Sequence, residues 1–248
     1  MATSDDYRWN QLGAAAAYDA AAPVIHPRYI AVQDAVLAAI PFAADQPFRV
    51  VDLGSGSGRL VERLLSKFAA ASAILMDQSQ PFLDLAAARL APFDGRAACL
   101  QRRLQDDWVD DVAPVDLIVS TSAIHHLEPA EKQTLFRKCF AALAQGGVFI
   151  NGDEHRPASD VEYRALLVQW SEHMHAAVAD GRIPESFGAT LERWRLRNLE
   201  EFGTPRASGD DCLETAEVQV EYLRQAGFAT VEVPWSEELW ADFVATKA

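Results

Sequence analysis

A run of closely spaced glycines follows a short apolar segment, and this combination could form a nucleoside pocket. Residues 48–53 are predicted to form a buried strand and residues 58–69 a helix, with Gly54, Gly56 and Gly58 at the turn. Glycine lacks a Cβ atom, so the backbone can turn tightly and approach a ligand closely. The first turn of the following helix presents unpaired N–H groups to that ligand.

An acidic residue, Asp52, stands at the end of this strand, just before the turn. Its carboxylate would repel a pyrophosphate, and it could hold a cationic amino group directly or through water. The G-x-G-x-G spacing also differs from the G-x-G-x-x-G of dinucleotide-binding folds. Both features disfavour a nicotinamide-dependent dehydrogenase.

The run Asp52-Leu-Gly-Ser-Gly-Ser-Gly58 resembles the first motif of class I S-adenosylmethionine-dependent methyltransferases. The resemblance covers about residues 48–153 and 213–246. It implies S-adenosylmethionine as cofactor. The residues expected to hold it in this motif are Asp52, Gly54, Ser55, Gly56 and Gly58.

A second acidic residue, Asp77, closes the next predicted strand, 25 residues after Asp52. At about this distance an acidic side chain meets a ribose in dinucleotide folds, and a carboxylate can accept both hydroxyls. Asp77 could instead cap the helix that begins near Pro81. The glycine turn upstream favours ribose binding, and the resemblance implies that Gln78 lies beside the adenosine.

The adenine contact is the point where the chain departs from the family pattern. An ungapped alignment puts Arg103 and Leu104 where the family usually has an acidic residue and its neighbour. Either Leu104 stacks on the ring while backbone groups bind its edge, or Asp106 reaches back to it. Asp106 and Asp107 are also typical turn residues before Trp108.

The fourth predicted strand ends in Ser120-Thr-Ser-Ala-Ile-His-His-Leu127, which resembles the fourth motif of small-molecule methyltransferases. The resemblance places Ser120 at the cofactor and this segment at the wall of the methyl-transfer site. His125 and His126 could orient an acceptor or remove its proton, because imidazole titrates near neutrality. The alternative is a structural role, with both rings bonded to backbone carbonyls.

A dense polar segment, residues 151–155, follows the fifth predicted strand. Asp153 and His155 are candidate acids or bases that face the substrate. With Glu154, and with His173 and His175 further on, the chain has ligand types that suit a divalent metal. Two residues apart on a helix, however, side chains point about 200° apart. No metal site is therefore predicted.

Near the N-terminus, Tyr18 and His26 are candidates for closing the cofactor site. The resemblance implies a Tyr-Asp segment that acts as a lid. An alanine-rich helix packed on the core would explain the same residues.

The rest of the pattern predicts an α/β fold: a doubly wound, seven-stranded, mostly parallel, Rossmann-like sheet with a helical cap insertion. A final hairpin is expected, with strands at residues 228–233 and 239–245 joined by a turn at 234–238, and the resemblance implies that its last strand is antiparallel. Four parts are expected. They are N-terminal helices or a lid (1–47), a cofactor-binding core (48–153), the helical cap (154–212) and a C-terminal helix and hairpin completing the core (213–248).

Composition limits the partners. With 22 basic and 36 acidic residues the formal net charge is −14, which disfavours binding to a nucleic-acid backbone. Three scattered cysteines indicate neither a disulfide framework nor a zinc knuckle. No 18-residue apolar stretch is present, so no membrane partner is expected and a cytoplasmic location is predicted. The oligomeric state is left open.

The expected function is therefore transfer of a methyl group from S-adenosylmethionine to a small-molecule acceptor. Two alternatives remain: an enzyme that uses a derivative of S-adenosylmethionine for another transfer, and a non-catalytic binding module. The acceptor atom, whether O, N, C or S, is also open, and with it the need for a general base.

Overall fold

A seven-stranded sheet with the strand order β3-β2-β1-β4-β5-β7-β6 forms the centre of the fold. The structure, a computed structural model, describes residues 12–93 and 95–248. Residues 1–11 of the predicted N-terminal part lie outside this range. The strands are β1 (Arg49–Leu53), β2 (Ser72–Asp77), β3 (Ala97–Gln101), β4 (Val115–Thr121), β5 (Leu143–Glu154), β6 (Thr230–Glu237) and β7 (Trp240–Thr246).

Helices cover both faces of this sheet. Most of the α-helices follow or precede a strand, as expected for a chain that crosses over between parallel strands. They are α1 (Leu12–Ile25), α2 (Tyr29–Ala39), α3 (Arg59–Lys67), α4 (Gln80–Leu90), α5 (Val109–Val112), α6 (Pro129–Ala142), α7 (Asp160–Ala179), α8 (Gly188–Arg195), which continues as a π-helix (Leu196–Glu200), and α9 (Ala216–Ala226).

The strand directions confirm the predicted sheet. Strands β1 to β5 pair in parallel, and β7 pairs antiparallel with both β5 and β6. The central strands are apolar on both faces, because helices cover each face. In β4, for example, residues 117–119 are fully buried.

The final hairpin is longer than predicted. Strand β6 continues past Pro234 to Glu237, with a register shift between Glu232 and Trp235. Proline cannot donate to the ladder and is tolerated here because β6 is the edge strand. The chain turns instead at Glu238, a non-glycine residue with a φ of 56°.

The segment between β5 and α9 packs on the core. Tyr163, Trp170 and Met174 of α7 share an apolar cluster with α1 and with Trp240 of β7. Helix α7 begins at Ser159, whose hydroxyl accepts a hydrogen bond from the N–H of Glu162. None of the helices in the described part of the chain has the length and hydrophobicity needed to cross a membrane.

Candidate active site

The three glycines of the turn after β1 have different environments, although each has a positive φ. A Cβ atom on Gly54 would lie 2.5 Å from Ala123 Cβ, and one on Gly58 would lie 3.0 Å from the Leu75 side chain. A Cβ atom on Gly56 would meet no protein atom within 4 Å. Gly54 and Gly58 therefore permit close packing, while Gly56 borders open space.

Asp77 connects the end of β2 to this turn. Its carboxylate accepts hydrogen bonds from the backbone N–H of Gly56 at 2.9 Å and of Ser79 at 2.8 Å. Burial raises the pKa of Asp77, and the backbone N–H groups partly oppose this. A carboxylate offers about four acceptor positions, so capacity remains for a ligand hydroxyl.

Asp52 is almost completely buried at the end of β1, and its Oδ1 atom accepts no hydrogen bond. Burial, followed by the charge of Asp77, raises the pKa of Asp52 well above its usual value. A cation placed beside Asp52 would favour its ionised form.

A first cavity of about 210 Å³ opens at the carboxyl ends of β1, β2 and β4. Helix α1 contributes to its wall. The predicted cofactor residues that line it are Tyr18, Gly54, Ser55, Gly56, Asp77, Gln78 and Leu104. The predicted cofactor residues that do not line it are Asp52, Gly58, Arg103 and Ser120.

The loop after β3 is held by its own side chains. Asp106 accepts a hydrogen bond from the backbone N–H of Arg103, which commits this carboxylate to the turn. The indole N–H of Trp108 donates to the carbonyl of Leu104 at 3.2 Å. The loop therefore presents Leu104 to the cavity, as one of the two expected arrangements requires. Ser120 donates instead to the carbonyl of Leu53 and joins β4 to β1.

Helix α1 is fastened over the glycine turn by Asp19. The carboxylate accepts hydrogen bonds from Arg59 Nε at 2.7 Å, from Arg89 Nη2 at 2.9 Å and from the Ser57 hydroxyl. Burial alone would raise the pKa of Asp19, but these hydrogen bonds outweigh burial and hold the pKa at about 2. Sequence reasoning singled out the Tyr-Asp pair as a lid but gave Asp19 no partner.

A second cavity of about 230 Å³ lies between the cap, α1 and the end of β4. Its apolar wall is formed by Ile25, Trp170, Met174, Phe187, Leu191 and Trp194. Its imidazole, carboxylate and guanidinium groups belong to His26, His125, His126, Glu154, Asp210, Asp211, Arg193 and Arg197. Four residues line both cavities, namely Tyr18, Ser122, His126 and Gly209. The two spaces therefore adjoin.

His125 is held between two carboxylates in the second cavity. Its Nδ1 lies 2.7 Å from Asp153 Oδ1, and its Nε2 lies 3.2 Å from Glu154 Oε2. Burial would lower the pKa of His125, but the charges of Glu154 and Asp153 raise it to about 9. His125 in turn lowers the pKa of Asp153, against the effect of burial.

The neighbouring ring, His126, has the opposite electrostatics. Burial and the charge of His125 lower its pKa to about 4, so this imidazole is neutral near pH 7. Its Nδ1 lies 3.1 Å from the carbonyl oxygen of Asp210 and 3.6 Å from Asp211 Oδ1. The segment 209–211, near the end of the predicted cap, was not singled out by sequence reasoning.

Other predicted histidines lie apart from this group. His155 Nε2 lies 3.2 Å from the Ser236 hydroxyl, and His155 lines neither cavity. His173 contacts the carbonyl of Val24, and His175 lies near Ser171. The structure thus brings together His125, His126 and Asp153, and it separates His155 from them.

The strand order and the glycine turn define a Rossmann-like fold that binds a nucleoside at the carboxyl ends of its strands. Residues 51–149 match a family model described as a methyltransferase domain. No curated protein matches the sequence of the chain.

Solved structures share the fold at low sequence identity. Human N-acetylserotonin methyltransferase in complex with S-adenosylmethionine has a TM-score of 0.65 and 14% identity, covering 100% of this chain and 60% of that one. For PigF with S-adenosylhomocysteine the TM-score is 0.63 and the identity 18%, and the match covers 99% of this chain and 62% of PigF. For the methyltransferase SibL the TM-score is 0.56 and the identity 18%, and the match covers 86% of this chain and 54% of SibL. The chain thus spans between about half and two thirds of the length of these proteins.

The domain match over residues 51–149 and the strand order show that the chain contains a methyltransferase domain with a Rossmann-like fold. Two of the similar structures hold S-adenosylmethionine or S-adenosylhomocysteine. The residues of the glycine turn and the neighbouring strand ends fit S-adenosylmethionine: Asp77 has acceptor capacity for a ribose, the space beside Gly56 is open, and Asp52, which does not line the cavity, has an unpartnered oxygen.

Proposed function

We propose that this protein transfers the methyl group of S-adenosylmethionine to a small-molecule acceptor bound in the second cavity. The observation that carries the proposal is the shared wall of the two cavities, where His126 and Tyr18 border both. A cofactor in the first cavity and an acceptor in the second would meet there.

The second cavity suits a small and largely apolar acceptor. Its volume of about 230 Å³ and its wall of tryptophan, phenylalanine, methionine and aliphatic side chains leave no room for a macromolecule. The names of two similar structures, N-acetylserotonin methyltransferase and a pyocyanin biosynthetic protein, refer to small molecules. The absence of a nucleic-acid partner and a cytoplasmic location stay predictions from composition.

In the first cavity, Asp77 would accept the ribose hydroxyls, and Gln78 and Leu104 would flank the adenosine. Asp52 would face the cationic amino group, because a cation there offsets the cost of ionising a buried carboxyl. When bound, S-adenosylmethionine supplies an electrophilic methyl group on a sulfonium.

The chain contributes alignment and exclusion of water. A displacement at carbon needs the acceptor, methyl and sulfur in line, and such alignment is worth on the order of 7 kcal/mol. Helix α1, fastened by Asp19, and the aromatic cap would hold both ligands away from water. An O–H or N–H acceptor must also lose a proton. We assign that step to the group formed by His125, His126 and Asp153, in which Asp153 acts through its contact with His125. His155 is left out because it lines neither cavity and contacts Ser236 instead of this group.

Calorimetry with S-adenosylmethionine and its demethylated product tests the first cavity. Incubation with methyl-labelled cofactor and a metabolite mixture then tests transfer. We expect both ligands to bind and label to appear in a small molecule. Failure of both to bind rejects the proposal. Tight binding with no label transferred to any acceptor would favour a binding module, and transfer of another group from a cofactor derivative would favour the other alternative.

A further inference from the structure

Three side chains from distant parts of the chain present possible metal ligands to one point of the second cavity. One ligand atom each from His125, His126 and Asp211 lies within 4.8 Å of the other two. His125 Nε2 is 3.8 Å from Asp211 Oδ1, and His126 Nδ1 is 3.6 Å from the same oxygen. Ligands in adjacent positions around an ion at about 2.1 Å are about 3.0–3.4 Å apart, so small movements suffice.

Two further buried atoms beside this group lack hydrogen-bond partners. Glu154 Oε1 accepts no hydrogen bond, and His26 Nδ1, 3.4 Å away, makes none either. Both residues line the same cavity, and Glu154 is only 2% exposed. These two atoms form only a long ion pair with each other, whereas buried polar atoms are almost always hydrogen-bonded, so both have capacity for a further ligand.

Hydrogen bonds from neighbouring side chains also fix the orientation of two of the ligand residues, His125 and Asp211. Asp153 contacts His125 Nδ1 at 2.7 Å, which leaves Nε2 directed toward Glu154 and Asp211. Asn198 donates to Asp211 Oδ2 at 3.0 Å, which leaves Oδ1 directed toward the histidines. A carboxylate on the far nitrogen of a histidine is the usual support of a metal-binding imidazole.

The local charge favours a cation. Asp153, Glu154 and Asp211 bring three carboxylates to this side of the cavity, and the ion pairs that Asp153 and Glu154 make are with histidines. Arg193 and Arg197 also line the cavity, but Arg197 is paired with Glu201 and Asp210 rather than with these carboxylates. A divalent ion would compensate these charges and let the histidines bind as neutral ligands.

From these observations we infer that the second cavity binds one divalent transition-metal ion, such as Zn²⁺ or Mn²⁺, through His125, His126 and Asp211, with Glu154 and His26 beside it. Mixed nitrogen and oxygen ligands suit these ions better than Mg²⁺, which prefers oxygen ligands. From the sequence alone the candidate ligands are Asp153, Glu154, His155, His173 and His175, and no metal site is predicted.

The site gives the proposed methyl transfer a specific acceptor chemistry, and this role rests on the proposed function. A bound ion would orient an acceptor hydroxyl and lower its pKa, as metal ions do for bound water. With the histidines bound to the ion, the proton of the acceptor hydroxyl would pass to Glu154, whose Oε1 accepts no other hydrogen bond. The acceptor oxygen would then bond to the methyl carbon as the bond between that carbon and sulfur breaks. The inference thus favours hydroxyl acceptors that chelate through a second oxygen or nitrogen.

Tag-free protein stripped of metal by a chelator and titrated with ZnCl₂ in a calorimeter tests the site directly. We expect one Zn²⁺ per chain and weaker binding of MgCl₂. Asp211→Asn and Asp153→Asn should each reduce Zn²⁺ affinity roughly tenfold or more. His155→Gln should leave affinity unchanged because this histidine lies outside the cavity, and circular dichroism checks that each variant is folded.

Absence of Zn²⁺ binding by folded wild-type protein would overturn the inference, and so would equal loss of affinity in His155→Gln and Asp211→Asn. Anomalous diffraction at the zinc edge should show a peak between His125, His126 and Asp211, and a peak elsewhere would contradict the assignment. The two proposals fail separately. Folded protein that transfers methyl but binds no Zn²⁺ would reject the metal site alone, whereas metal binding without S-adenosylmethionine binding would reject the methyltransferase function alone. Transfer that persists after Zn²⁺ is removed from protein that binds it would reject the role of the ion in acceptor activation.

Discussion

The carboxylate of Asp77, at the end of β2, accepts a 2.9 Å hydrogen bond from the backbone N–H of Gly56 in the turn after β1. A second hydrogen bond, from the N–H of Ser79, fixes the other oxygen at the start of α4. One side chain therefore both holds the glycine turn in position and presents its remaining acceptor capacity to the first cavity.

Substitution of Asp77 should separate these two roles. We expect Asp77→Ala to weaken S-adenosylmethionine binding at least tenfold, about 1.4 kcal/mol, because the ribose loses its acceptor. Asp77→Asn keeps one acceptor oxygen and should lose less. Calorimetry measures both, with Asp84→Ala on the exposed face of α4 as the control. Unchanged affinity in folded Asp77→Ala would refute the ribose role.

Gly56→Val should abolish cofactor binding, because the side chain would occupy the open space beside the turn. Gly181→Val is a matched control. Both glycines have a positive φ, 51° and 70°, and in both a Cβ would meet no protein atom within 4 Å, so both variants carry similar backbone strain. Only Gly56 lines the cavity. Equal binding by the two folded variants would contradict the placement of the nucleoside.

The link between Asp19 and the two arginines predicts that α1 controls cofactor release. Asp19→Asn should speed dissociation of S-adenosylmethionine several-fold in stopped-flow measurements, since a neutral amide holds Arg59 and Arg89 less strongly. Asp34→Asn, which removes an exposed ion pair with Arg63, serves as the control. The same dissociation rate in both variants would show that Asp19 does not hold α1 over the cofactor site.

This link also has a pH dependence with a definite sign. The pKa of Asp19 is lowered to about 2 from an ordinary value of 3.8. The link therefore contributes its full stability above about pH 4 and loses it as the pH falls toward 2. Wild-type protein should lose stability in this range more steeply than Asp19→Asn. Parallel acid-unfolding curves would contradict the assignment.

The sheet could be predicted from the sequence because its determinants are local. Short apolar runs alternate with helical patterns, and Asp52 and Asp77 come directly after such runs, so parallel pairing brings both to one edge. The second cavity could not be predicted in this way. Asp211 reaches His126 only because the cap folds back over the sheet, which depends on contacts between residues far apart in the chain.

His155 illustrates a second limit of predicting the site from the sequence. Asp153 and His155 are expected to face the substrate because both belong to the polar segment 151–155 after a predicted strand. Strand β5 ends at Glu154, however, and the backbone N–H of His155 donates to the carbonyl of Leu239. The side chain of His155 then contacts Ser236 in β6, so a place after a strand end does not direct it toward the site.

Asp242 in β7 predicts a loss of stability at higher pH. The residue is completely buried and neither carboxylate oxygen accepts a hydrogen bond, so burial raises its pKa to about 7. An acid whose pKa is raised in the folded state favours folding most below its unfolded value, here 3.8. Stability falls as the pH rises from about 4 to about 7, and the penalty, on the order of 2–4 kcal/mol, is complete above that.

Asp242→Asn removes this titration and keeps the shape of the side chain. Relative to wild type, its Tm should therefore be higher at pH 8, and this gain should shrink or reverse at pH 5, where wild-type Asp242 is mostly protonated. Differential scanning calorimetry at both pH values measures the difference. Asp45→Asn, at an exposed position, should show the same small effect at both. If the gain in Tm for Asp242→Asn is equal at pH 5 and pH 8, Asp242 does not titrate between these pH values. A neighbouring group would then have to stabilise the buried charge of Asp242.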